Sequence, residues 1–441
     1  TLRPYTGLAL MDLRFKNVRV AYELALSEAI AVYSGAAGDA VIYQDSAYSM
    51  SQLSGDLAPG LDCPAHAAFL DATTSVFWDT ARGGGFVQDV SRARPYKAVC
   101  VFEQDEARAL WRHTQMASRV ADGVRESVLV VRAAATVGNY DYVTEVRLHL
   151  DGSLEARMSL AGYCESRFYQ PSAAGTGDYE LILGDVVHER LALPLHAHYA
   201  VWKVDLDAPG IEEGRGDSFE RSVFASGKPK GVPLHDGLAT KYVERSFADK
   251  EGDPESTGVP NARLPGLWRI VNEEEGRRRQ RARPDAPMRP PGYALVPGET
   301  SVTTLPADHP FVKSADFQKY TLAVTRRKDS EQRCTSVYDL FGAREPAGPR
   351  LNASVDAFLA DGEPLRGHDL VAWVTVGKEH LPRAEDLPLI SNVPLSFRVL
   401  PWNVHAKNAA MDLPARRHAA PAAGSSGGTG ARQGAHMFAR R

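Results

Sequence analysis

The clearest pattern in the chain is an alternation of apolar and polar positions with period two. Val146, Leu148 and Leu150 alternate with charged or polar residues, Asp151-Gly152 interrupts, and Leu154, Ala156, Met158 and Leu160 resume the alternation. Successive side chains of a strand point to opposite faces, so each run offers one apolar face. Asp-Gly between two such runs predicts a hairpin, because the turn needs a positive φ that these residues accept. Residues 196–207 alternate in the same way. His196 and His198 fall on one face with Ala200, Trp202 and Val204, while Asp205 and Asp207 fall on the other face at the far end. Shorter runs predict strands over 8–20, 41–45, 98–102, 267–271, 292–298, 320–325, 369–376 and 396–400. Residues 22–32, rich in Ala and Glu, fit helix or strand. Residues 52–96, with Gly83-Gly84-Gly85 at their middle, read as irregular; 208–262 read as turns rather than core, and 272–291 as a polar loop. Many strands and few convincing helices predict an all-β fold, a large antiparallel β-sandwich of two packed twisted sheets with long loops.

Composition narrows the function. With 441 residues and 44% hydrophobic content the chain can bury a large core. A formal net charge of −4 gives no electrostatic basis for binding nucleic acid. The cluster Arg277-Arg278-Arg279 with Arg281 reads as a solvated face. No apolar run reaches the roughly 18 residues of a membrane span, and no basic-then-apolar leader pattern begins at Thr1. After Ala409 the chain turns rich in Ala, Arg, Gly and Ser, which predicts a disordered tail over 410–441. Its end, Phe438-Ala439-Arg440-Arg441, is not a peroxisomal Ser-Lys-Leu signal. Four cysteines without a Cys-x-x-Cys pair argue against a cysteine zinc site.

Candidate chemistry gathers in a few places. Asp45 ends a short apolar run, where a carboxylate is either a turn former or a functional group. The pair His196 and His198, joined by His380 of Gly377-Lys378-Glu379-His380-Leu381-Pro382, offers three imidazoles. Three neutral nitrogen ligands with open positions suit copper, zinc, nickel or iron, and residue chemistry alone does not choose among them. Tyr140, in Thr136-Val137-Gly138-Asn139-Tyr140-Asp141-Tyr142, is either a packed aromatic after a turn or a reactive group beside that metal.

Taken in order, these pieces resemble the copper-containing amine oxidases. The likeness runs from about Gly7 to Asn403: Thr-x-x-Asn-Tyr-Asp-Tyr, His-x-His, then Gly-x-x-His-Leu-Pro-Arg-Ala-Glu-Asp, with Gly7-Leu8-Ala9-Leu10-Met11-Asp12-Leu13-Arg14, Trp111-Arg112-His113-Thr114-Gln115, Trp268-Arg269-Ile270-Val271-Asn272 and Gly292-Tyr293-Ala294-Leu295-Val296-Pro297 in the family's order. The resemblance implies that residues 1–409 form the family's catalytic β-sandwich domain, without the small domains that usually precede it. It implies that Tyr140 becomes topaquinone, a quinone cofactor made from the side chain with copper and dioxygen, and that Asn139 orients its ring. His196, His198 and His380 match the copper ligands, Asp45 the catalytic base, Tyr33 a hydroxyl partner of the quinone and Tyr43 the substrate gate. Cys63 and Cys100 match a disulfide, which fits a secreted or other oxidising compartment. Asp205, Leu206, Asp207, Asp369 and Leu370 match a peripheral calcium site, the leucines through their carbonyls, and carboxylates suit such a hard cation. The implied activity converts a primary amine, dioxygen and water to aldehyde, ammonia and hydrogen peroxide. The quinone is the electron sink and a carboxylate removes the α-proton. A homodimer is implied with it.

The chain departs from the family pattern around the base. Asp45-Ser46-Ala47-Tyr48-Ser49-Met50 is one residue short and lacks a glycine, Tyr33-Ser34-Gly35-Ala36 replaces Tyr-Gly-Asp-Pro, and residues 64–96 carry an insertion. These departures motivate an alternative, a degenerate member that binds metal without turnover and serves a binding or structural role. A three-histidine zinc hydrolase is a third reading.

Overall fold

The computed structural model describes residues 1–3, 6–35, 39–48, 50–51, 55–74, 76–78, 86–88, 93–117, 120–169, 179–210, 216–233, 238–254, 256–258, 266–285, 287–334 and 353–419. Two large antiparallel sheets pack face to face. In spatial order the first runs Leu2–Arg3, Gly7–Phe15, Val18–Tyr33, His196–Leu206, Leu370–His380, Leu322–Arg326 and Thr257–Gly258, with Val41–Gln44 paired to the end of Val18–Tyr33. The second runs Thr240–Phe247, Asp217–Gly227, Gly266–Asn272, Gly292–Pro297, Ile390–Trp402, Leu154–Gly162, Tyr140–His149, Val120–Val137, Arg94–Gln115 and Ala68–Thr74. This is the all-β sandwich that the alternating pattern predicts.

The main core lies between the sheets. Leu24, Leu26, Ala200, Trp202, Val204 and Val374 come from the first sheet, and Val146, Ala156, Met158, Leu295, Phe397 and Val399 from the second. Trp202 and Phe397 meet edge to face, ring centroids 6.0 Å apart. Both are fully buried, so truncating either to alanine costs about 3–5 kcal/mol. A second cluster covers the outer face of the first sheet, where Tyr199, Val201 and Trp373 pack against Phe317 and Phe358. The strand His196–Leu206 is therefore buried at every position. Antiparallel strands commonly keep one face wet; covering both makes the histidine end of this strand dry.

The Asp-Gly hairpin forms as expected. Leu148 pairs with Leu154, His149 N–H donates to the Ser153 carbonyl, and Gly152 takes φ +85°. The Ala- and Glu-rich residues 22–32 belong to the strand Val18–Tyr33. Four expectations are corrected. Residues 52–96 contain the strand Ala68–Thr74, paired with Arg94–Gln115, while Gly83-Gly84-Gly85 lie outside the described residues. Residues 208–262 contain the strands Asp217–Gly227 and Thr240–Phe247 at the edge of the second sheet. The outer one has no buried face, so hydrophobic alternation is missing. The segment after Asn272 is a helix, Glu273–Ala282. The Asn272 side chain caps it by accepting from Glu275 N–H at 2.9 Å, three glutamates occupy its first turn, and Arg279 and Arg281 its last, all suited to the helix dipole. Finally, order continues past residue 409. Ala409–Asp412 forms a single 3-10 turn, and Arg416–Ala419 pairs with Val120–Val137 through backbone bonds that side-chain composition does not reveal. Residues 420–441 lie outside the described residues.

Candidate active site

Register builds the site. His196 stands opposite Tyr33 on one neighbouring strand and opposite His380 on the other, so three strands of the first sheet contribute to one row. The Tyr33 ring stacks on His196 at 4.8 Å, and the His380 ring lies 4.8 Å from it on the other side. His198 follows on the same face, its ring centroid 5.2 Å from that of His196.

Tyr140 enters from the second sheet. Val137 pairs with Tyr140 across the two-residue turn Gly138-Asn139, where Gly138 takes φ +60° as the first position of such a hairpin turn requires. The turn is tied down by Asn139, whose amide donates to the Tyr163 carbonyl at 2.6 Å and to the Tyr33 hydroxyl at 3.3 Å. Gly162 lets that backbone approach: a Cβ there would stand 2.1 Å from the Asn139 carbonyl oxygen. Tyr140 is 1% exposed, and its ring meets that of His198 edge on at 4.6 Å.

The hydrogen bonds fix which nitrogens carry lone pairs. His196 Nδ1–H donates to the Pro194 carbonyl at 3.0 Å, leaving Nε2 to accept from the Tyr140 hydroxyl at 2.8 Å. His380 Nε2–H donates to the Asp386 carboxylate at 2.9 Å, and its buried Nδ1 has no hydrogen-bond partner. Both nitrogens of His198 are buried without a partner. Burial, reinforced by the charge of His380 and opposed by the Pro194 bond, pushes the His196 pKa down to about 4. Burial and the two neighbouring imidazoles push His198 well below its ordinary value. Both are neutral near pH 7, as metal ligands must be. Burial likewise raises the Tyr140 phenol above its ordinary range.

Asp45 opens the 3-10 turn Asp45–Tyr48, directly after the edge strand Val41–Gln44, and is 2% exposed. The Tyr142 hydroxyl bonds its carboxylate, while Oδ2 is buried without a partner. Burial first, with the Glu28 charge adding, raises its pKa well above the carboxylate range, against the Tyr142 bond. Tyr142 sits two residues beyond Tyr140, ring centroids 6.3 Å apart, and so links Asp45 to Tyr140. Tyr43 packs edge on against Tyr33 at 5.8 Å, and burial and its bond to Glu165 push its pKa up to about 12. Glu28, Tyr142, Glu165 and Asp386 are site neighbours that reading the sequence did not single out. Asp386 stands within the quoted His-Leu-Pro-Arg-Ala-Glu-Asp motif and Tyr142 closes the quoted Thr-x-x-Asn-Tyr-Asp-Tyr motif, and these were the available signals.

At the other end of the histidine strand Asp205 and Asp207 come near Asp369. Burial, then the charges of Asp369 and Asp207, raise the Asp205 pKa to about 7, and burial and Asp207 raise Asp369 to about 6. Arginines stand among them: Arg327 Nε is 3.2 Å from Asp205 and 3.9 Å from Asp369, and Arg19 is 3.5 Å from Asp207. Among the described residues, the acidic oxygens that all lie within 4.8 Å of one another belong to a different group, Glu251, Asp361 and Glu363. Lys328 Nζ stands 3.1 Å from Glu363 there. The Cys63–Cys100 disulfide is formed and buried, and bridging residues 37 apart contributes about 3–4 kcal/mol by restricting the unfolded chain.

Sandwich and pocket define a class, an all-β protein with three neighbouring imidazoles between its sheets, two of them against a buried tyrosine. A family model described as the copper amine oxidase enzyme domain matches residues 1–420, and the chain belongs to that family. It is 29% identical over 416 residues to the primary amine oxidase, lung isozyme, of Bos taurus, covering 93% of this chain and 50% of that protein. It is 32% identical over 406 residues to copper-containing amine oxidase 2 of Mus musculus, covering 90% and 49%. The chain thus spans about half the length of the curated relatives it matches. Among solved structures, Pichia pastoris lysyl oxidase superposes with a TM-score of 0.75 at 26% identity, covering 97% of this chain and 55% of that one. The amine oxidase of Aspergillus nidulans, at 23% identity and a TM-score of 0.78 over 100% and 55% of the two chains, shares the fold.

Proposed function

We propose that this domain oxidises a primary amine with dioxygen and water to the aldehyde, ammonia and hydrogen peroxide, with His196, His198 and His380 holding copper and Tyr140 as topaquinone precursor. The donor set carries this reading: lone pairs on His196 Nε2 and His380 Nδ1, two unpartnered nitrogens on His198, and the Tyr140 hydroxyl at His196 Nε2. Three imidazole nitrogens in a dry pocket fit a transition metal and not calcium or magnesium. Copper with dioxygen supplies the oxidation of the Tyr140 ring, and the quinone supplies the electron sink for the amine.

The chain's own residues do the rest. Asn139 holds the turn from which Tyr140 projects, and with Tyr33 it sets the direction of the ring. Asp45 accepts the α-proton of the amine on Oδ2, the oxygen without a partner, and its raised proton affinity makes it a stronger base than an exposed carboxylate. Tyr43, beside Tyr33, serves as the gate. The catalytic unit is the sandwich as far as Ala419, working as a homodimer. A peripheral calcium is held by Asp205, Asp207 and Asp369 with the carbonyls of Leu206 and Leu370, and the buried unpartnered Oδ1 atoms of Asp205 and Asp369 support this.

Amine-dependent peroxide release by copper-loaded protein, across a panel of primary amines, tests the activity. Asp45→Asn should lower it by about 10²–10⁴-fold, the usual worth of a general base, while copper content stays level. A protein that binds copper at the three histidines without releasing peroxide would instead serve a binding or structural role, a reading favoured by the shortened segment after Asp45.

A further inference from the structure

Behind Asp45 lies a second buried acid. Glu28 is 0% exposed, in the middle of the strand Val18–Tyr33. Pairing with the histidine strand shifts register there: Val201 is opposite Glu28 but Trp202 is opposite Leu26, so Ser27 is an extra residue in a bulge. Bulges re-aim side chains, and they recur beside active sites. Glu28 Oε1 accepts from Ser46 N–H at 2.9 Å and from Ala29 N–H at 3.0 Å, and Oε2 accepts from the Ser46 hydroxyl in a short bond. Ser46 is the residue after Asp45 in the 3-10 turn, so both of its polar donors are held by one carboxylate.

We propose that Glu28 is a positioning residue for Asp45: by clamping Ser46 twice it fixes the turn that aims the Asp45 carboxyl, and it sets a second buried acid behind that carboxyl. This rests on the reading of Asp45 as the base. Two buried acids in one pocket do not both ionise freely, so a proton on one favours charge on the other. Burial lifts Glu28 to about 7 despite its three hydrogen bonds, and its charge in turn raises Asp45. Among the described residues, the other charged or titratable groups that act on Glu28 are Arg333, whose charge lowers it, and the Cys334 thiol, buried beside it. The clamp is a matter of geometry, and the charge a matter of proton affinity, so two substitutions separate them. Glu28→Gln keeps an acceptor for Ser46 and removes the charge. Ser46→Ala loosens the clamp and keeps the charge.

Infrared pH titration of copper-free protein reads the Asp45 carboxyl directly, as the protonated-carboxyl band missing from Asp45→Asn. In Glu28→Gln its midpoint should fall by about one pH unit, a tenfold loss of proton affinity. In Ser46→Ala the midpoint should move less. In copper-loaded protein the acid limb of kcat/KM should move down with the band in Glu28→Gln, a displacement that a loss of folded protein does not produce, with kcat about tenfold lower and KM unchanged. Should Glu28→Gln fail to fold, Glu28→Asp takes its place: it keeps the charge and shortens the clamp, so it should lower kcat and leave the limb in position. An Asp45 band that titrates in Glu28→Gln as in the wild type, or, with Glu28→Asp in its place, a kcat equal to wild type, overturns the proposal. If no amine is turned over while the band moves as stated, the role of Glu28 stands and the amine-oxidase reading falls.

Discussion

The two ends of the strand His196–Leu206 are equally dry and carry opposite chemistry. At one end burial pushes imidazoles toward the neutral form, with His196 at about 4 and His198 lower still. At the other end burial pushes carboxylates toward the neutral form too, with Asp205 at about 7, but there Arg327 and Arg19 supply countercharge. A neutral imidazole keeps its lone pair, so the nitrogen end is ready for a metal without any change of protonation. A carboxylate must lose its proton first, so a cation at the oxygen end would compete with protons and arginine. One strand thus presents a site suited to a transition metal and a second that is conditional on pH.

That contrast can be broken at several points. The largest effect is expected at the nitrogen end: His198→Ala removes an imidazole whose nitrogens have no hydrogen-bond partner, and stoichiometric copper, read by metal analysis, should be lost. Next, Asp386→Asn replaces the carboxylate that fixes the His380 tautomer with a neutral amide, which can donate as well as accept. It should weaken copper binding by about 10–100-fold in competition with a chelator, the usual worth of such an outer partner.

A smaller effect is expected at the oxygen end. The folded pKa values of Asp205 and Asp369, about 7 and about 6, lie above the ordinary 3.8, so the native state holds protons that the unfolded chain releases. Their contribution is fully present below about pH 4 and is lost as pH rises through 6 to 7. The melting temperature of metal-free protein should therefore fall between pH 5 and pH 8, and fall less in a variant with both Asp205→Asn and Asp369→Asn. Calcium should raise it more at pH 8 than at pH 5. An equal rise at both would place calcium elsewhere.

The sequence made one end of the comparison legible and hid what surrounds it. Strand periodicity puts His196 and His198 on one face, and the Asp-Gly hairpin follows from local turn chemistry. The row Tyr33–His196–His380 depends on register between strands far apart in the chain, which no local pattern records. The family's motif order supplied those partners instead. Glu28 was hidden because an Ala- and Glu-rich stretch fits helix as well as strand, and the bulge that aims it appears only in the pairing. The helix Glu273–Ala282 was hidden because ion pairs such as Arg278–Glu275 at 2.6 Å, not an apolar stripe, line it.

The central claim is that Tyr140 stands where a copper-bound pocket converts it. Mass spectrometry of the Tyr140 peptide, after copper-free protein has taken up copper in the presence of dioxygen, tests this most directly. The account predicts a peptide with the mass of the quinone and a positive quinone stain, both absent without copper and both absent in Tyr140→Phe. An unmodified tyrosine mass in fully copper-loaded, oxygen-exposed protein would contradict it.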